Sequence, residues 1–203
     1  MNTTILRKSV LGIAGLAFAG GVFAGPVTEA HANPVDANPV DAKAVAVAVQ
    51  ADKPSVDKGK LIPHGVQGKQ SRIDVGAEQT ANVKAIIAAT KKSGMDERAA
   101  VVAIATSLQE SKLENLGHLG ERNDFDSQGL FQQRPSSGWG TVEQITDPEY
   151  STMAFLKGLK QVDGWKDMPL TEAAQTVQVS AYPDHYAQWE QQAADLVAKH
   201  WNN

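Results

Sequence analysis

The side chain best suited to proton transfer in this sequence is Glu110, which closes an apolar run. Residues 99–108 are apolar or small on every face of a helix, and Gln109 and Glu110 follow at its end. Counted back in helical steps, Glu110 shares a face with Thr106, Ala103 and Ala99. Small apolar neighbours solvate a carboxylate poorly, and the negative end of the helix dipole opposes its charge. Both effects raise its proton affinity toward that of a general acid. The competing reading is an exposed glutamate at a frayed helix end, paired with Lys112.

Behind the polar loop 120–126 comes the segment SQGLFQQRP, residues 127–135, which opens on Ser127. Gly129 permits close approach of backbone to a ligand, and Gln132 and Gln133 are neutral donors and acceptors suited to uncharged polar groups. Trp139, set between Gly138 and Gly140, is either a flat face on which a ligand ring can lie or a packed core or lid tryptophan. Glu121, Asp124 and Asp126 are either a source of a second carboxylate for hydrolysis or a solvated loop. The run from Asp124 to Gly129 mimics the start of a calcium loop, but its twelfth position is Pro135 instead of glutamate, so no metal is expected. Ser111 and Ser127 lack a histidine at triad spacing, and the five histidines show no zinc-ligand pattern.

The elements that must position these groups are helical. From about residue 72 the apolar period is that of helices, and no credible strand is predicted. One helix covers 78–93, with Val83, Ile86, Ile87 and Thr90 on one face and Gly94 as its stop. Asp96 caps the next, to about Ser111. Asp147, with Pro148 at the first helical position, opens a third reaching Gly164. Thr171 caps a fourth through Val179, and Asp184 opens the last, with Trp189, Ala193, Leu196, Val197 and Trp201 along one face. Trp165, Trp189 and Trp201 are expected in the core. The expected fold is an all-α domain over residues 72–203.

In their order, these features resemble the lytic transglycosylases of the lysozyme-like superfamily. The E-S dipeptide of that family is matched by Glu110 and Ser111, and its G-L-x-Q-x-x-P by Gly129, Leu130, Gln132 and Pro135. Its D-P opening a helix with a later glycine is matched by Asp147, Pro148 and Gly158, and its A-Y by Ala181 and Tyr182. Where the family commonly continues with Asn and Gly, this chain has Pro183. The resemblance implies a lysozyme-like helical domain that cleaves the β-1,4 bond between N-acetylmuramic acid and N-acetylglucosamine. Glu110 would protonate the bridging oxygen and then take a proton from the muramyl C6 hydroxyl, closing a 1,6-anhydro ring. One carboxylate acting as acid and then base suffices for this, whereas ordinary glycoside hydrolysis normally uses a pair. Ser127, Gly129, Gln132, Gln133, Trp139 and Tyr182 would contact the glycan, and no cofactor is needed. Lysozyme-like hydrolysis is the alternative chemistry. A non-catalytic peptidoglycan-binding or cell-wall-associated module on the same fold is the alternative function.

Composition narrows the partners. The 203 residues carry 19 Lys+Arg against 23 Asp+Glu, a net charge of −4, which offers no field for a polyanion, so nucleic acid is not expected. The absence of cysteine excludes a disulfide scaffold, thiolate zinc sites, a cysteine nucleophile and a lipobox. Arg7 and Lys8 precede an apolar run of thirteen residues, 10–22, shorter than the roughly 20 needed to span a bilayer, so residues 1–32 are expected to be a signal peptide. Cleavage after Ala32 is favoured by Ala30-His31-Ala32, with Ala24 as the other site. Two copies of the pentapeptide NPVDA follow at 33–42, then an Ala/Val alternation at 44–49 with no second strand to pair with. Poor in core-forming side chains, residues 33–71 are expected to be a disordered Pro/Ala/Val-rich linker, and a chain starting near Ser71 is expected to fold alone. The product would be a secreted or wall-held monomer without a membrane anchor, acting on the glycan strands of peptidoglycan.

Overall fold

The computed structural model describes residues 56–203. The leader, the duplicated pentapeptide and the alternation at 44–49 lie outside the described residues. Those that are described form helices and turns, with one isolated antiparallel bridge between Gln128 and Gln133, so the domain is all-α.

A helix that is apolar all round can be satisfied only inside a shell of other helices. That element is α3 (Glu97–Ser111), buried without interruption from Arg98 to Leu108. Around it lie α1 (Lys58–Leu61), α2 (Ala77–Lys92), α5 (Pro148–Leu159), α6 (Leu170–Gln178) and α7 (Glu190–His200), while the short α4 (Val142–Ile145) packs on α5. Phe131 stacks on Phe155 with ring centroids 5.1 Å apart, which fastens the glutamine-rich loop to α5. Gly158 leaves room for Val177 of α6: a Cβ there would lie 2.8 Å from Val177 Cγ1.

The caps explain the boundaries. Asp96 accepts from Ala99 N at 3.3 Å, and Asp147 from Tyr150 N at 2.6 Å with Pro148 in the first turn, as expected. Three boundaries differ from the sequence expectation. The helix opened by Asp147 ends at Leu159 instead of Gly164, because Gln161 N and Val162 N bond three residues back and Gly164 turns left-handed at φ 70°. Thr171 is not a cap: α6 starts at Leu170 behind Pro169, and the Thr171 hydroxyl donates instead to Pro183 O at 2.6 Å. Asp184 does not open the last helix either. A turn and the 3₁₀ segment Ala187–Trp189 intervene, and α7 begins at Glu190.

The linker expectation is corrected over residues 56–71, which pack on the domain. Leu61 is fully buried, and its carbonyl accepts from Arg98 Nη1 at 2.7 Å. Gln70 Nε2 donates to Ala187 O at 3.0 Å, and Gln70 Oε1 accepts from Gln191 N at the same distance. Ser71 N donates to Gln188 O at 2.8 Å. This strap is held by one buried leucine and by scattered polar contacts of Gln70, Ser71 and the backbone, neither of which leaves a periodic signature in sequence.

Candidate active site

The position of Glu110 follows from how α3 stops. Lys112 and Leu113, both non-glycine, adopt left-handed conformations at φ 58° and 62°. Such residues cost about 1 kcal/mol each and persist only when neighbours hold them. Here Leu113 is fully buried, its carbonyl accepts from Asn82 Nδ2 at 2.9 Å, and Lys112 O accepts from Gln79 Nε2 at 2.8 Å. Lys112 does not pair with Glu110. Its ammonium turns back over the helix end, donating to Leu108 O and Gln109 O at 3.0 and 3.2 Å, with Nζ 4.8 Å from the centroid of the Trp189 ring. Its positive charge still favours the Glu110 carboxylate, though less than burial opposes it.

Glu110 therefore ends α3 at the wall of a cleft of about 670 Å³, partly buried and shared with Ser127, Gln132, Trp139, Gln178 and Tyr182. Burial pushes its proton affinity up. Two hydrogen bonds oppose that shift without cancelling it: Tyr186 Oη donates to Oε1 at 2.6 Å, and Gln178 Nε2 to the same oxygen at 3.4 Å. With both donors on Oε1, Oε2 is the oxygen left to carry a transferable proton. Tyr186 is itself fully buried, and its hydroxyl, desolvated and facing a carboxylate, is held far above the ordinary tyrosine range.

The facing loop is tied to the same helix. Ser111 Oγ donates to Leu130 O at 2.9 Å, which gives the residue after Glu110 a structural task. Gln128 and Gln133 exchange backbone hydrogen bonds at 3.0 Å each way and close the turn 129–132, where Gln132 is left-handed at φ 47°. Gly129, at φ 78°, is not a point of ligand approach: it is buried, and a Cβ there would lie 2.1 Å from Ile145 O of α4. Gln133 also borders the cleft, but its amide donates inward to Ser151 O at 3.0 Å and its Oε1 is buried without a partner among the described residues. Ser127 is buried at the floor, Trp139 is partly buried in the wall, and Tyr182 stands exposed on the rim, stacked on His185 at 4.8 Å.

Of the loop acids, Asp124 borders the cleft, whereas Glu121 does not. Asp126 is committed elsewhere. The Ser136 backbone N–H, the Arg134 guanidinium and the Ser136 hydroxyl hold it down at about 2, and it ties the loop's two arms together.

Sequence reasoning missed Tyr186 and Gln178, the two side chains that hydrogen-bond to Glu110 among the described residues. The tyrosine singled out by the A-Y match, Tyr182, lies on the rim, and the one that meets the carboxylate comes four residues later. Its signal was weak: a tyrosine in a turn with no motif around it. No protein-family model matches the chain, and no curated protein matches it.

Proposed function

We propose that the protein is an exported, lysozyme-like enzyme of the bacterial cell wall that cleaves the β-1,4 bond between N-acetylmuramic acid and N-acetylglucosamine by transglycosylation, with Glu110 as acid and then base. The observation that carries this reading is a carboxyl of raised proton affinity at the wall of an open cleft, with one oxygen held by Tyr186 and Gln178 and the other without a hydrogen bond among the described residues. The proton on Oε2 passes to the bridging oxygen as the C1–O4 bond breaks. The resulting carboxylate then takes the proton of the muramyl C6 hydroxyl as O6 bonds to C1, which regenerates the acid and leaves a 1,6-anhydro end. Ser127, Gln132, Trp139 and Tyr182 supply the surface along which a neutral, hydroxyl-rich strand can lie. Asp126 is engaged by Arg134 and Ser136, which favours a single-carboxylate mechanism over a paired one.

Digestion of purified sacculi, followed by mass analysis of the fragments, tests the reading. Anhydromuramyl ends are expected, and Glu110→Gln should lower cleavage by at least about 10² to 10⁴, the usual worth of general acid–base catalysis. Reducing ends would instead mean that water attacks, with Asp124 as the second carboxylate. Intact glycan that wild type and variant bind equally well would leave a binding module.

A further inference from the structure

The chemistry of their partners dictates which amide atom each cleft glutamine has left for a ligand. A backbone carbonyl only accepts, so Gln178, whose amide lies 2.9 Å from Phe131 O, and Gln132, whose amide lies 3.0 Å from Gly129 O, both turn their nitrogens into the protein and keep their oxygens. Gln109 is set the other way. An indole N–H only donates, and Trp189 Nε1 lies 2.9 Å from Gln109 Oε1, which also accepts from Gln188 Nε2 at 3.1 Å. The Nε2 of Gln109 has no partner among the described residues, and the residue borders the cleft beside Glu110.

This setting reaches back to the strap. Gln188 Nε2 also donates to His185 O at 3.1 Å, which fixes its sense, and its Oε1 accepts from Ser71 Oγ at 2.7 Å. The hydrogen-bonded series Ser71, Gln188, Gln109 thus connects the amino-terminal strap to the wall of the cleft.

We propose that Gln109 is a specificity-determining donor, its Nε2 donating to the carbonyl oxygen of an N-acyl group on the sugar bound beside Glu110, with Gln188 and Ser71 as the positioning residues that hold it in that sense. The proposal rests on the glycan reading above. A deacetylated sugar places an ammonium where the acyl group stood, so that donor faces donor and the Gln109 amide is left unmatched.

Calorimetric titration of the full chain in a Glu110→Gln background, which prevents turnover, compares tetra-N-acetylchitotetraose with the deacetylated tetramer. The acetylated tetramer is expected to bind more tightly. Gln109→Leu should reduce that preference by about fivefold, the worth of one neutral hydrogen bond. Gln188→Leu, which leaves Gln109 in place but loosens it, should reduce it by less. Gln109→Glu keeps an acceptor oxygen for Trp189 and Gln188, so it should fold even if the leucine variant does not, and it should invert the preference. An unchanged preference in a Gln109→Leu protein that melts cooperatively, or in Gln109→Glu, overturns this inference alone. Failure of the Glu110→Gln chain and of wild type to bind either tetramer overturns the glycan reading and this inference with it.

Discussion

Burial raises the proton affinity of Glu110 in the folded protein, and that makes stability depend on pH. A carboxyl whose folded value lies above its ordinary 4.5 imposes no penalty below that pH and destabilises the fold as pH rises through the folded value. Glu110→Gln removes the penalty while keeping an acceptor for Tyr186. The variant should therefore melt above wild type at pH 7, with the difference closing below about pH 4.5. Paired melts at pH 4 and 7 check this, and a difference that does not vary with pH would contradict it. Tyr186→Phe acts in the opposite sense to the tyrosine's own effect. Its hydroxyl stabilises the carboxylate, so its loss should raise the Glu110 value further and move the alkaline limb of the kcat/KM profile to higher pH. A limb that stays in place would show that the tyrosine serves packing alone.

At the scale of elements, the site depends on two abrupt changes of chain direction that local propensity does not favour. One is the left-handed pair Lys112 and Leu113 that stops α3, and the other is the turn around Gly129 that brings the glutamine loop against α4. Gly129→Ala meets both a left-handed backbone and a carbonyl 2.1 Å from the new methyl, so it should destabilise by roughly 2–4 kcal/mol. Chemical denaturation measures this directly, and a loss below about 1 kcal/mol would show that α4 moves aside easily. Gly129 thus serves packing between the loop and α4, while the partly buried Gln132 borders the cleft.

Across the whole molecule, the strap is the part whose importance changes most. A chain starting at Ser71 loses Leu61 from the core and removes the carbonyl that meets the buried guanidinium of Arg98, which then leans on Glu190 alone at 2.6 Å. Vacating a leucine site in a packed core costs roughly 2–5 kcal/mol, so that truncated chain should melt well below one starting at Val56. Equal melting temperatures would restore the linker reading of these residues. Because Ser71 also contacts Gln188, starting the chain one residue later, at Arg72, should in addition loosen Gln109.

The helical class, the central position of α3 and the carboxylate at its end follow from the sequence alone, because an all-round apolar run flanked by a capping Asp96 is a local pattern. The caps at Asp96 and Asp147 were legible for the same reason. The partners of Glu110 were not. Tyr186 lies 76 residues away along the chain and Gln178 68, and no periodicity links groups that far apart. Nor could the sequence decide that Gly129 packs against α4, or which end of the Gln109 amide Trp189 and Gln188 hold. Those choices depend on which acceptor or donor the folded chain places opposite each group, and only the packing of α3 against α6, α7 and the strap supplies that.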